Sequence, residues 1–331
     1  MATASIINVG FQGILVDVEC SLSNGLPSIT IVGLASKAVD EAKDRLRVAI
    51  TNSGFAFPRK RIVINLAPAD LPKDTASLDL AIAIAILQAD GQIHSSVHDA
   101  IFIGELALDG TVRPVRGILG KILCNDSRQA AALYIPSANK GQAEITEASN
   151  VYPVDTLKQL VEHLNGIVPL PKLSKIVAPS SKPASIGTDF GEIYGQESAK
   201  RALLIAASGG HNVLLSGPPG TGKSMLAKAF IGILPTLTNR QAIESTHIHS
   251  LSSINYEQIL FTAPLRSPHH TASDVAIIGG GHNLRPGEIS LAHNGVLFLD
   301  EFPEFSRNSI EALRQPLEDG TITISRAQQS A

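Results

Sequence analysis

Residues 217–224 read GPPGTGKS, and residues 295–301 read GVLFLDE. The first string fits the phosphate-loop pattern, in which a glycine is followed by four residues and then by Gly-Lys-Ser. The apolar run 211–216 before it predicts a buried parallel strand, and residues 225–230 after it predict the opening of a helix. Backbone N–H groups and a helix N-terminus surround a phosphate in such an arrangement. The string therefore predicts a nucleotide-binding site made of Gly217, Pro218, Pro219, Gly220, Thr221, Gly222, Lys223 and Ser224.

The second string supplies acidic residues for the same site. Residues 296–299 predict a buried strand that ends at Asp300 and Glu301. At the end of such a strand Asp300 can hold Mg²⁺ together with the Ser224 hydroxyl, while Lys223 stabilises the β- and γ-phosphates. Glu301 can orient or deprotonate a water. The alternative is a core strand that ends in two solvated acids, but the order of the two motifs favours a nucleoside-triphosphate hydrolase.

Composition limits the class of protein. The 331 residues suggest two domains, and 44% apolar with 17% charged residues can bury sizeable cores. The net charge of −3 gives no bulk positive field that would attract nucleic acid or an anionic membrane. Cys20 and Cys124 match no metal or disulfide framework and are expected to be buried free thiols. No secretory signal is visible and the longest apolar run, 80–87, is too short to span a membrane, so we expect a cytoplasmic protein without a membrane partner.

The first predicted domain, 1–167, mixes helices and strands. Ser36 can cap a helix whose positions Val39, Ala42, Leu46 and Ile50 recur at helical spacing. Further on, the pattern predicts a strand around residues 62–66, a buried helix at 78–87, strands at 101–103, 132–135 and 151–154, and a tight hairpin at residues 106–112 that turns at Asp109-Gly110.

A linker and a second domain follow. Residues 168–189 carry four prolines among serines and lysines, which predicts a semi-extended linker. The nucleotide-binding domain covers 190–331, with 197–207 as its leading helix. The sequence ends thirty residues after Glu301, so we expect a C-terminally truncated nucleotide-binding domain or parts supplied by another chain.

Longer motifs carry a family resemblance. LRSPHHTASDVAIIGGG at 265–281, RPGEISLAHNGVLFLDE at 285–301 and ALRQPLEDGTITISRA at 312–327 closely resemble the YifB/ComM family of magnesium-chelatase-like AAA+ ATPases. VGLASKAVDEAKDRLRVAI at 32–50, PADLPKD at 68–74 and FIGELALDGTVRPVRG at 102–117 resemble that family's Lon-protease-like (S5 domain 2-like) domain. The resemblance implies an α/β fold, with a non-catalytic Lon-like domain followed by a P-loop AAA+ domain.

The resemblance also implies activity, cofactors and partners. Its members form hexameric rings that hydrolyse ATP with Mg²⁺, and competence-linked members act on branched DNA as helicases. Tyr194, in the segment 193–196, matches the border of the adenine site, and residues 285–288 match an insertion that faces the pore in related motors. The family's sensor asparagine, arginine finger and lid arginine would lie beyond Ala331, so this chain alone is expected to bind ATP but to hydrolyse it poorly.

A Lon-like peptidase is a further alternative. Ser77 falls on the position of the Lon serine nucleophile, but Leu119 occupies the position of the general base and Lys121 is displaced by two residues. Without a nearby base Ser77 would keep an unactivated hydroxyl. We therefore expect Ser77 to cap the helix that follows it.

Histidines and basic clusters admit two interpretations each. Six of the ten histidines lie between His247 and His293. In regular structure the adjacent side chains of His269 and His270 should diverge, and His247 and His249, which could share one strand face, supply too few metal ligands. Polar loop packing is favoured over a metal site. The basic clusters at 43–47 and 59–61 predict a solvated face, with contact to DNA phosphates as the alternative.

These observations leave two leading hypotheses. The first is an ATP-driven remodelling motor that acts on single-stranded or branched DNA as a ring. The second is a nucleotide-dependent scaffold that binds protein partners without translocating anything.

Overall fold

A computed structural model describes residues 2–33, 37–69, 71, 76–126, 130–146, 148–173, 189–252, 259–280, 285–322, 325–326 and 329–330. The described residues form two compact units, one holding those up to 173 and the other those from 189 onward. None of the described helices is long and apolar enough to cross a membrane.

A seven-stranded mixed sheet forms the centre of the first unit, in the order β3-β4-β2-β1-β5-β8-β9. β1 pairs antiparallel with β2 and parallel with β5, so it lies in the middle of the sheet and is buried along most of its length. The edge strand β3 runs parallel to β4. The strands are β1 Ala2–Val9, β2 Gln12–Ser23, β3 Ser28–Val32, β4 Arg61–Ala67, β5 Ala100–Phe102, β8 Ala132–Pro136 and β9 Val151–Val154, beside a separate hairpin of β6 Glu105–Leu106 and β7 Val112–Arg113.

Five helices accompany this sheet. They are α1 Lys37–Asn52, α2 Asp79–Ala89, α3 Ile118–Asp126, α4 Lys140–Ala143 and α5 Leu157–Leu164. Every residue of α2 from Asp79 to Gln88 is buried, because the helix is apolar on all sides and is enclosed by other elements. A core around α2 and a second core around Ile6 and Ile118 stabilise the unit.

The predicted elements of the first unit are confirmed. Ala42, Leu46 and Ile50 form the buried face of α1, and Ile62, Ile64 and Leu66 form that of β4. The hairpin, the buried helix and the three further strands are also present, shifted by one or two residues at most ends. Ser36 lies outside the described residues.

Two expectations about the first unit change. Three of the seven strands, β1, β2 and β3, are not among the predicted elements. Cys20 is buried as expected, whereas Cys124 is only half-buried, and neither of these two cysteines forms a disulfide. Most of the predicted linker, 174–188, lies outside the described residues. Of its first part, Leu170 is buried and Leu173 donates its N–H to the carbonyl of Val151.

The second unit is mainly helical in its described part. Its helices are α6 Glu197–Gly209, α7 Lys223–Ala229, α8 Asn239–Ser252, α9 Asp274–Ile278, α10 Glu288–Leu291, α11 Arg307–Ala312 and α12 Arg314–Asp319. Its strands form three short pairs, namely β10 Leu265–Arg266 with β13 Val296–Leu297, β11 Gly279–Gly280 with β12 Arg285–Pro286, and β14 Ser325–Arg326 with β15 Gln329–Ser330. The leading helix predicted at 197–207 is confirmed as α6. Asp300 follows Lys223 by 77 positions, and this stretch contains the β11–β12 hairpin.

The prediction of a buried strand at 211–216 is wrong. These residues form no strand, and Val213 and Leu214 are 44% and 83% exposed. The physical reason is that the run has no ladder partner among the described residues, since β10 pairs only with β13. Without a neighbouring strand, the backbone N–H and C=O groups of an apolar run have no hydrogen-bond partners in a sheet, and its side chains stay exposed.

The strand predicted at 296–299 is shorter and less buried than expected. β13 covers only Val296 and Leu297, and both are half-buried. The parallel pairing with β10 nevertheless continues, because the N–H of Phe298 donates to the carbonyl of Arg266 across 2.8 Å. This pairing directs the chain toward Asp300 and Glu301.

Candidate nucleotide-binding site

The glycine loop, 217–224, lies on the surface and opens α7. Gly220 and Gly222 have φ angles of 79° and 84°, a region that favours glycine over other residues. An added Cβ on either glycine would meet no atom within 4 Å, so backbone conformation rather than lack of space requires these glycines. The loop therefore leaves its backbone accessible to an anion.

Hydrogen bonds within the loop hold its shape. The Lys223 ammonium donates to the carbonyls of Gly217 and Pro218, each across 2.9 Å. The Thr221 hydroxyl donates to the same carbonyl of Pro218 across 2.9 Å. Lys223 thus lies along the loop that the phosphate groups of a nucleotide would contact.

A contact between the two motifs defines the site. The Ser224 hydroxyl donates to Oδ2 of Asp300 across 3.0 Å, although 76 positions separate the two residues in the sequence. The other carboxylate oxygen, Oδ1, accepts the N–H of Glu301 across 3.1 Å. A hydroxyl and a carboxylate oxygen at this separation are hard oxygen donors of the kind that Mg²⁺ prefers, so these two residues fit the ion.

Glu301 adopts a constrained backbone conformation. Its φ of 54° is in the left-handed region, and the residue precedes a short 3₁₀ turn at Phe302–Glu304. Oε2 of Glu301 lies 3.3 Å from Nδ1 of His270, just after β10. The parallel pairing of β10 with β13 brings these two chain segments together.

His270 is a residue whose role sequence reasoning missed. Side chains of adjacent residues diverge in regular structure, but His269 and His270 lie in the loop that follows β10, and their ring centroids are 4.1 Å apart. The irregular backbone there does not alternate side chains as a strand does. Nδ1 of His269 instead contacts the hydroxyl of Thr271 across 2.8 Å. The clustering of histidines near the second motif was the only signal in the sequence.

The other histidines that the structure describes do not form a metal centre. His247 and His249 lie on the helix α8 and are buried, rather than sharing a strand face. The ring Nε2 of His249 contacts the carbonyl of Leu291 across 2.7 Å. Among the described residues no group of three or more histidine, cysteine or acidic side chains is placed to hold a metal ion.

The segment 193–196 lies beside the glycine loop. Nε2 of Gln196 donates to the carbonyl of Thr221 across 3.3 Å, and Gln196 has a left-handed φ of 58°. Tyr194, the predicted adenine neighbour, is 95% exposed. The aromatic ring is therefore accessible close to the loop.

The insertion that ends at Glu288 is fixed by an ion pair. Arg266 donates from Nε and Nη2 to the two carboxylate oxygens of Glu288, across 2.6 and 2.7 Å. This bidentate geometry is the strong form of an arginine–carboxylate contact. It connects β10 to the start of α10, directly after the β11–β12 hairpin.

A second group of chemically notable residues lies in the first unit. The Lys121 side chain is enclosed, and its Nζ donates to the carbonyl of Ile6 across 2.5 Å and to the Ser77 hydroxyl across 3.0 Å. Burial lowers the pKa of Lys121 to about 7. The expectation that Ser77 has no nearby base is therefore wrong. The expectation failed because the position of a residue in an alignment does not determine how far its side chain extends. The long side chain of Lys121 brings Nζ to the Ser77 hydroxyl.

The capping role expected of Ser77 is also wrong. Leu78 occupies the position before α2, and it makes no side-chain capping bond. Ser77 lies within a 3₁₀ turn, Ala76–Leu78, and is 4% exposed. Its carbonyl accepts the N–H of Gly104 across 3.0 Å, which fixes the backbone beside the hydroxyl.

Known proteins resemble the chain along most of its length. The family model described as magnesium chelatase, subunit ChlI, matches residues 189–331, and that described as subunit ChlI of Mg-chelatase matches residues 18–139. Competence protein ComM of Haemophilus influenzae is 48% identical over 97% of this chain. The uncharacterized protein YifB of Escherichia coli is 44% identical over 94% of it. DNA replication licensing factor mcm7 of Schizosaccharomyces pombe is 27% identical over 58% of it.

The matched part of each relative is shorter than that relative. The chain spans 64% of the length of the ComM protein, 61% of the YifB protein and 21% of the licensing factor.

Proposed function

Because the chain belongs to the ComM/YifB family of magnesium-chelatase-like AAA+ proteins, we propose that its second unit binds ATP with Mg²⁺ and hydrolyses the γ-phosphate. The observation that carries this proposal is the 3.0 Å hydrogen bond between Ser224 and Asp300. It joins the end of the glycine loop to the end of the acidic strand, which are the two halves of a P-loop nucleotide site.

Each residue has a distinct task in this proposal. Lys223 moves from the loop carbonyls to the β- and γ-phosphates and stabilises their charge. Ser224 and Asp300 hold Mg²⁺, which neutralises charge on the phosphate oxygens when it is bound. Glu301 orients the attacking water and accepts its proton.

We further propose that the protein acts on DNA as a ring-shaped motor. One relative is named a competence protein, and two more distant ones are named DNA replication licensing factors. The ComM/YifB resemblance also implies a hexameric ring and action on branched DNA. A nucleotide-dependent protein scaffold is the competing function, and it predicts ATP turnover that does not respond to DNA.

Measurement of the ATPase rate with and without single-stranded and branched DNA separates these functions. We expect DNA to stimulate turnover, Lys223→Ala to abolish ATP binding, and Glu301→Gln to retain binding but lose turnover. A Glu301→Gln protein that hydrolyses ATP at the parent rate would disprove the role of Glu301. An unstimulated parent rate would favour the scaffold.

A second candidate function, acyl hydrolysis by the first unit, is favoured by the contact between Ser77 and Lys121. When the Lys121 amine is neutral, its lone pair can accept the serine proton as Oγ bonds to an acyl carbonyl carbon. The leaving group then takes this proton when its bond to the carbonyl breaks, and water hydrolyses the acyl serine. Both side chains are almost fully enclosed, so substrate entry requires local opening, and this function ranks second.

A fluorophosphonate probe, which labels nucleophilic serines, tests this second function directly. We expect labelling of the parent above pH 7, and none in Ser77→Ala or Lys121→Met. Ser53→Ala is the matched control, because Ser53 is also buried but its hydroxyl donates to the carbonyl of Ala49. An unlabelled parent, or labelling that survives in Ser77→Ala, would reject acyl hydrolysis and leave Lys121 as a structural residue.

A further inference from the structure

A groove of about 700 Å³ lies in the first unit, at the edge of the sheet where β3 begins. One face of α1 forms one wall, through Lys43, Asp44 and Arg47. The loop that leads into β4 forms another wall, through Phe57, Arg59 and Lys60. The two basic clusters noted in the sequence, which are separated along the chain, therefore line a single concave surface.

The groove has the opposite charge to the whole chain. Four cationic side chains and a single carboxylate line it, whereas the 331 residues together carry a formal net charge of −3. Concentrated positive charge in a concave surface raises the local concentration of anions. A local excess of positive charge thus lies at this groove, which the net charge of the whole chain does not reveal.

The arginines of the groove are available for an external anion. In the part of the chain that the structure describes, neither Arg47 nor Arg59 has a carboxylate within ion-pair distance, and both are exposed. Lys60 lies 3.9 Å from Asp90, a distance typical of a weak surface pair. Arg45, on the same helix, differs because both of its bonds go to the buried carboxylate of Asp79, across 2.8 and 3.1 Å.

We propose that this groove binds the backbone of single-stranded nucleic acid. The arginine forks of Arg47 and Arg59 match phosphate oxygens, and the partly buried Phe57 adds an apolar wall on which a base can rest. A concave groove of this volume accommodates a few nucleotides of one strand, whereas a duplex presents a wide convex surface. The groove belongs wholly to the first unit, so it gives that unit a binding role separate from ATP turnover.

This inference rests on the proposed function only for the choice of nucleic acid over other polyanions. Binding to the groove requires no nucleotide, so it can be measured in a Lys223→Ala protein. The absence of DNA-stimulated ATPase would reject the motor and leave the groove untouched. Substitution of Arg47 and Arg59 in the groove should leave basal ATP turnover unchanged.

The experiment is a salt titration of binding to a fluorescently labelled oligothymidine of about 12 nucleotides, followed by anisotropy without ATP. Removal of two phosphate contacts from a single strand lowers the slope of log K against log salt by about 1.4. We therefore expect Arg47→Ala/Arg59→Ala to show this smaller slope and about 25-fold weaker binding at 0.1 M salt. Arg47→Lys/Arg59→Lys keeps both charges and should retain most of the slope.

Two controls make the result decisive. Arg113→Ala/Arg116→Ala removes the same charge from exposed arginines of the first unit outside the groove, and we expect it to bind as the parent does. Thermal unfolding checks that each variant is folded. Parent-like slope and affinity in Arg47→Ala/Arg59→Ala would overturn the proposal, as would equal competition by poly-glutamate or anionic vesicles, which would assign the groove to another polyanion.

Discussion

The Lys121 side chain is an ionisable group enclosed in the first unit, and its burial makes stability depend on pH. Burial lowers the pKa of Lys121 to about 7, whereas an unfolded lysine titrates near pH ~10.4. Between these values the unfolded chain binds a proton that the folded protein lacks, so this group adds stability as pH rises. Below pH 7 the folded protein must enclose a charged ammonium, and the contribution is lost.

We expect the difference in free energy of unfolding between the parent and Lys121→Met to rise with pH from 7 to 10, by at most about 1.4 kcal/mol per pH unit. Denaturant unfolding at several pH values in that range measures it. The methionine variant removes the titrating group but keeps an apolar chain of similar length. A flat or falling difference would mean that Lys121 stays charged in the folded protein.

His270 is expected to position Glu301 for catalysis. The contact of 3.3 Å between Nδ1 and Oε2 restrains a carboxylate whose side chain is otherwise largely exposed, 66% by area. We predict that His270→Gln lowers kcat between about tenfold and a hundredfold, since small misplacement of a catalytic group has effects of this size. The KM for ATP should change little, because in the part of the chain that the structure describes His270 contacts Glu301, His269 and Phe305 rather than the glycine loop.

His269→Gln provides the matched control for this prediction. It removes the adjacent histidine, whose Nδ1 contacts Thr271 rather than Glu301. Equal losses of kcat in the two variants would attribute the effect to the packing of the two rings. A His270→Gln protein with parent kcat would show that Glu301 holds its position without the histidine.

At the scale of elements, the pair β10–β13 depends on a close approach that only glycine permits. A Cβ added to Gly295, the residue before β13, would lie 2.1 Å from the carbonyl oxygen of Pro264, the residue before β10. That same carbonyl accepts the N–H of Val296 across 2.8 Å, so the two segments cannot separate without loss of the pairing. This pairing places Asp300 opposite Ser224.

We predict that Gly295→Ala destabilises the second unit by roughly 1–3 kcal/mol, as overpacking of a well-packed site does. ATP binding should weaken as well, because the Ser224–Asp300 contact depends on the strand pair. Gly232→Ala is the control, since a Cβ there meets nothing within 4 Å. Thermal unfolding and nucleotide titration of both variants measure the effects, and unchanged values for Gly295→Ala would contradict this account of the pair.

Sequence patterns predicted some elements better than others for physical reasons. α2 and β4 were predictable because a run of apolar residues, or strict alternation at Ile62, Ile64 and Leu66, reports burial directly. β2 alternates in the same way from Val16 to Leu22, so its sequence pattern also reports a strand with one buried face. The exposed run 211–216 has the composition of a strand, but it pairs with no neighbouring strand among the described residues. Whether a neighbouring strand is present cannot be read from the residues of the run itself.

At the scale of the whole molecule, local motifs identify the residues of the nucleotide site, whereas contacts between residues far apart in the sequence are visible only in the structure. The spacing of the glycine loop and the acidic pair identifies Lys223, Ser224, Asp300 and Glu301 without a structure. The contacts His270–Glu301 and Lys121–Ser77 join segments 31 and 44 positions apart, and neither has a sequence pattern. Side-chain reach in three dimensions decides such contacts, so a linear alignment assigned Lys121 no role.

Because the two units have separate cores, ATP is expected to stabilise them unequally. The cores of the first unit are built around residues such as Ile84 and Ile118, whereas that of the second contains Leu203, Leu226 and Ala229. A ligand that binds only the folded second unit raises its free energy of unfolding by about 2.7 kcal/mol at a concentration 100 times its Kd. We therefore predict that Mg-ATP raises the temperature of one calorimetric transition and leaves the other unchanged.

Ile84→Ala should lower only the transition that does not respond to ATP, by removing buried apolar contacts worth about 2–5 kcal/mol. Lys223→Ala should abolish the nucleotide-dependent shift without moving either transition in the absence of ATP. Equal displacement of both transitions by Mg-ATP would mean that the units unfold together, and the separate cores would then not act as independent cooperative units.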